Sequence, residues 1–137
     1  MTTYRQNLGS RYFSGRTGIY TQTFVSALAE MADTADILDN ADDRLAWAAD
    51  NGIITSEDEL FELIDVQTAA KIVDKYLEVL EDINDISFKN FNAKADAKTN
   101  AAAIELANET TYEKNRNLHR YDLASVCYLI ANLEIND

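Results

Sequence analysis

With 137 residues, 47% of them apolar, the chain is sized for one globular domain that buries about two-thirds of its unfolded surface, which argues against disorder. Its formal net charge of −12 repels nucleic acid and anionic lipid, so any charged partner should be basic. The longest apolar run has six residues, Val126 to Ala131, and there is a single cysteine, which excludes a membrane-spanning helix and an internal disulfide.

The first ten residues, MTTYRQNLGS, hold neither the apolar stretch nor the small-residue cleavage site of a secretory signal. The expected location is the cytoplasm, or the host cytoplasm or virion if the protein is viral. Proline is absent and alanine occurs nineteen times, so helix is favoured nearly throughout. The expected fold is all-α, a compact bundle of about five to six helices around an apolar C-terminal helix. Residues 1–20 form a basic, aromatic arm or short hairpin, and residues 21–137 the acidic helical domain.

In chain order, the arm carries three of the four glycines (Gly9, Gly15, Gly18) among Arg5, Arg11, Tyr12, Phe13 and Arg16. Tyr12-Phe13 and Ile19-Tyr20 flank Ser-Gly-Arg-Thr-Gly, which suits either a hairpin turn or an irregular segment. Thr21 or Thr23 is the expected cap of a first helix to about Leu38, with Phe24, Leu28, Met31, Ala35 and Leu38 as its apolar stripe. Asp39 or Asn40 caps a short second helix through Leu45 and Trp47, stopped by Asn51-Gly52. Ser56 and Glu59 have capping-box spacing for a third, carrying Leu60, Phe61, Leu63 and Ile64.

Asp65 caps a fourth helix, the most clearly amphipathic one. Val66, Ala69, Ala70, Val73, Tyr76, Leu77, Leu80 and Ile83 form its inner face. Beyond it, Ile86, Phe88 and Phe91 are expected to be buried. A fifth, alanine-rich helix is predicted from about Ala93 to Lys114. The last helix, Asn117 to Leu133, is apolar on almost every side, which predicts a central position.

Familiar chemistry finds no footing in these residues. One His and one Cys cannot furnish a zinc site, and no Glu-x-x-His pair, calcium loop or glycine-rich phosphate loop occurs. His119 and Cys127 lie about 12 Å apart along a helix axis, out of reach as a base and nucleophile. Cys127 reads as a small core side chain and His119 as a boundary residue near a helix start. No catalytic residue, metal or cofactor is expected.

Charge is the one sharp lead. Between Glu30 and Asp85 stand 17 of the 24 carboxylates and only three bases, Arg44, Lys71 and Lys75. Asp39/Asp43, Asp58/Glu62, Asp74/Glu78, Glu78/Asp82 and Glu81/Asp85 are like-charge pairs four apart, each destabilising a helix by about 0.2–0.5 kcal/mol. With Asp42, these acids define an expected partner-binding face, read as one continuous anionic wall. In charge pattern and size the chain resembles the small acidic DNA-mimic inhibitors carried by phages and mobile elements. That resemblance implies a non-catalytic inhibitor or regulator occupying the basic, nucleic-acid-binding surface of a protein partner. The alternative is a structural or assembly protein, such as a virion component or a homo-oligomer. Its arm would then contact neighbouring subunits through Arg5, Arg11, Tyr12, Phe13 and Arg16.

Overall fold

The structure, a computed structural model, describes residues 18–32, 41–55, 60–89 and 115–136. These contain four helices, α1 (Thr21–Met31), α2 (Ala41–Asp50), α3 (Val66–Asn84) and α4 (Arg120–Ala131). The helical class is as expected, with four helices rather than five or six among the described residues. The arm up to residue 17, the end of the first predicted helix and the predicted fifth helix lie outside them, as does Phe91.

What organises the fold is a ring of three extended tripeptides, each leading into a helix. Gly18-Ile19-Tyr20 precedes α1, Leu63-Ile64-Asp65 precedes α3, and Asn117-Leu118-His119 precedes α4. They pair antiparallel in rotation, Gly18 with His119, Tyr20 with Leu63, and Asp65 with Asn117. Ile64 N–H donates to the Ile19 carbonyl at 3.0 Å, and Leu118 N–H to the Ile64 carbonyl at 2.9 Å. Side chains alternate along an extended segment, so the middle residues Ile19, Ile64 and Leu118 all point inward and are buried.

The ring also satisfies the N–H groups that every helix start leaves without an intrahelical partner. Thr21 and Gln22 N–H donate to the carbonyls of Glu62 and Leu60, both at 2.9 Å. Val66 N–H donates to the Arg116 carbonyl and Gln67 N–H to Asn115 Oδ1, again at 2.9 Å. The expected Thr21 or Thr23 cap is therefore replaced by backbone. Tyr20 holds the N-cap position, and the Thr21 hydroxyl donates to the Glu62 carbonyl at 3.1 Å. Asp65 does cap α3 as expected, its Oδ1 accepting from Thr68 N–H at 2.8 Å.

Local stop signals behave as read. Gly52, at φ +73°, ends α2 in the left-handed conformation that glycine adopts without strain. Its N–H reaches the Ala49 carbonyl and that of Ile53 the Ala48 carbonyl, a Schellman closure sealed by buried Ile53 and Ala48. α3 ends similarly on Asp85, at φ 52° and ψ 51°.

Two expectations are corrected. Leu60 to Ile64 are not helical: Leu60-Phe61 turns and Leu63-Ile64 is extended, because pairing with the segment before α1 outweighs the capping-box spacing of Ser56 and Glu59. The C-terminal helix is also not the centre. Of α4, only Asp122, Val126 and Ile130 are buried, and Tyr128 is 69% exposed. The buried centre belongs to α3, through Val66, Ala69, Ala70, Ile72, Val73, Tyr76, Leu77, Val79 and Leu80, while α1 touches each of the other three helices. Of the predicted inner face of α3, Ile83 alone is exposed.

α3 and α4 leave the ring together, and the segments after them meet again where Phe88 pairs with Ile135 and Lys89 reaches Glu134. The two helices thus run in the same sense, with their C-terminal ends away from the ring. No helix of the described residues is long and apolar enough to cross a membrane.

Candidate functional site

The acids predicted to act together fall into separate groups, each placed by its own element. Asp42 and Asp43 stand exposed in the first turn of α2, where carboxylates favour the helix dipole. Asp74, Glu78, Glu81 and Asp82 lie within about 100° of arc on α3, at 100° per residue, and Asp85 follows at its end. Glu62 is exposed at the ring, the other end of α3, and the helix between spans about 28 Å. Asp39 and Asp58 lie outside the described residues. Among the described residues the predicted acids therefore lie on the C-terminal half of α3, in the first turn of α2 and at the ring.

These acids are also partly engaged from within. Lys75 Nζ lies 3.7 Å from Glu78, and Glu81 accepts the Phe88 N–H at 2.8 Å. Arg44 sits 3.9 Å from Glu30. Of the like-charge pairs counted in the sequence, Asp74/Glu78 and Glu78/Asp82 are within α3. Glu62 is outside any helix, and Asp85 has left-handed backbone, so Asp58/Glu62 and Glu81/Asp85 are not helical pairs. Asp82 and Asp85 are exposed at the C-terminal end of α3.

Those positions matter because a helix carries about half a negative charge at its C-terminus, so acids there oppose the dipole. Glu81, Asp82 and Asp85 gather at the end of α3, and Asp50 closes α2. No described helix has a basic residue in its last turn.

Around the ring lies a second feature, an exposed apolar group. Tyr20, Phe61 and Leu63 are 52%, 76% and 46% exposed. The available signal was the period-two alternation Phe61-Glu62-Leu63, a strand pattern hidden by the capping-box spacing before it. On the adjoining edge, Asp122 reaches back to the N-cap residue His119, accepting its N–H at 2.8 Å, and takes both Nη atoms of Arg116 at 2.8 and 3.1 Å. This pairing holds the Arg116 guanidinium pKa above its ordinary value. Tyr121 packs edge-on against His119 at 5.3 Å, with Arg116 6.0 Å from its ring centre.

Among the described residues no group of three or more His, Cys, Asp or Glu side chains could hold a metal ion. An open cleft of about 360 Å³ between α1 and α2 is lined by Gln22, Thr23, Ser26, Ala27, Glu30 and Leu45, with Glu30 as its one titratable group. Cys127 is half-buried rather than fully buried, and burial, with Glu30 adding to it, pushes its thiol pKa up, away from the reactive thiolate. His119 holds the N-cap position of α4, the boundary site expected of it. The arm residues Arg5, Arg11, Tyr12, Phe13 and Arg16 lie outside the described residues. Comparison with protein-family models, with curated proteins and with solved structures gave no match.

Proposed function

We propose that the protein is a non-catalytic acidic binding protein that occupies the basic, nucleic-acid-binding surface of a protein partner. It acts as an inhibitor or regulator in the manner of a DNA mimic. The acidic patch at the C-terminal half of α3, above all Asp82 and Asp85, is the contact, with the α2 acids adding to the field that draws the partner in.

The observation that carries this reading is the placement of the acids. Folding alone would put bases at the ends of α2 and α3, each stabilising by about 0.3–1 kcal/mol. The chain instead puts Asp50, Asp82 and Asp85 there, beside Glu81, whose carboxylate is taken up by the Phe88 N–H. Asp85 adds a left-handed backbone that glycine would adopt more readily. Carboxylates kept where they weaken the fold are the signature of a surface serving something other than stability.

The test is capture of partners from an extract of the source organism by the wild type and by an Asp82→Asn/Asp85→Gly double variant. The complex should weaken steeply between about 50 and 500 mM salt, as the screening length falls to a few ångströms. The variant should bind more weakly yet unfold later, gaining about 1 kcal/mol from the relieved dipole and backbone. A complex indifferent to both salt and these substitutions overturns the reading.

A further inference from the structure

Tyr20, Phe61 and Leu63 stand exposed on one side of the ring, and their exposure follows from the backbone around them. Tyr20 and Leu63 are directly paired across an antiparallel bridge, so their side chains share a face. Ile19 and Ile64 take the opposite face and are buried. Phe61 is held outward by its neighbours: the Leu60 and Glu62 carbonyls are both bound to the start of α1, at 2.9 Å each. Leu60 packs against the core, and the ring of Phe61 projects at 76% exposure. Gly18 completes the floor, since a Cβ there would sit 3.2 Å from Leu63 Cδ1.

We infer that this face is an apolar docking site for a basic partner segment that carries apolar side chains between its lysines or arginines. The inference rests on the proposed function and deepens it by adding a contact that salt does not screen. An aromatic fixed by backbone bonds on both sides loses little freedom on binding, which is what makes such residues binding hot spots. The partner's chemistry follows from Glu62, exposed between Phe61 and Leu63 with no hydrogen bond or ion pair to its side chain among the described residues. An unpaired carboxylate at the border of an apolar patch, on a chain of net charge −12, favours a partner that brings cations. A second copy of the chain is the poorer occupant, because it would bring another net charge of −12 against the same carboxylate.

Two synthetic peptides of equal charge separate the possibilities, one an amphipathic lysine–leucine helix and one of lysine and glycine. Binding to the full chain is followed by fluorescence anisotropy at low and high salt. The lysine–leucine peptide should bind with its contacts mapped by NMR to Tyr20, Phe61, Glu62 and Leu63, and retain binding at high salt. Phe61→Ser should weaken it by roughly tenfold or more, and Tyr20→Ser should do so if Phe61→Ser fails to fold. The lysine–glycine peptide should ignore both substitutions and respond to Asp82→Asn/Asp85→Gly. Equal binding of both peptides to wild type and Phe61→Ser overturns the docking site and leaves the acidic-patch reading standing. Indifference of the lysine–glycine peptide to the acidic variant overturns that reading alone. Concentration-dependent dimerisation abolished by Phe61→Ser assigns the face to a second copy and overturns the inference. So does sharply tighter peptide binding after deletion of residues 2–16, which would make the chain's own arm the occupant.

Discussion

Asp122→Ala is expected to lower the free energy of unfolding by about 2–4 kcal/mol, from a lost N-terminal cap and two charge-assisted bonds. Asp122 is 9% exposed and accepts from Arg116 twice and from the His119 N–H. Arg116 keeps a side-chain exposure of 35% and can rehydrate once its partner is gone, which holds the loss below that of a fully buried pair. Asp122→Asn keeps an acceptor for the His119 N–H and should cost about half as much. Chemical denaturation measures both. A change under about 0.5 kcal/mol for Asp122→Ala, the scale of an ordinary surface substitution, would mean that the start of α4 is held by the ring alone.

Tyr76→Phe should act in the other direction, stabilising by about 1–3 kcal/mol. Tyr76 has no exposed surface, and its hydroxyl has no hydrogen-bond partner among the described residues. The packing that its ring provides, edge-on to Trp47 at 6.4 Å, survives the substitution. The pH dependence gives a second readout. Burial, with Cys127 adding to it, raises the Tyr76 pKa above that of a free phenol. A raised folded-state pKa contributes stability that is whole below the unfolded value of about 10 and is lost as pH climbs beyond it. The wild type should therefore weaken more steeply than Tyr76→Phe above about pH 10. A destabilised variant would show instead that the hydroxyl is bonded.

The elements legible in the sequence are those whose cause is local. Asp65 meets Thr68 three residues on, Asn51-Gly52 stops α2, and Phe24 and Leu28 bury on one stripe of α1 because a helix brings them there unaided. The ring was not legible. Nothing near Asn117-Leu118-His119 announces that its partners are residues 18 and 65, and an isolated bridge leaves no periodic trace. The same blindness misplaced α4: an apolar composition reports what a helix can bury, while the ring decides how much of it is covered. For the acidic surface, sequence supplied the charge but not its placement, since Glu62 and Asp82 are separated by most of the length of α3.

The ring has a consequence for how the chain is made. Its third member, residues 117–119, is synthesised about fifty residues after the second, and until it arrives the inner faces of Ile19 and Ile64 have no lid. The start of α1 can find Leu60 and Glu62 early, but the start of α3 must wait for Asn115 and Arg116 to emerge, so closure of the ring follows well after α3 is made. Joining such distant stretches makes folding slow for a helical protein of this size. C-terminal truncations should yield insoluble fragments rather than smaller versions of the same molecule.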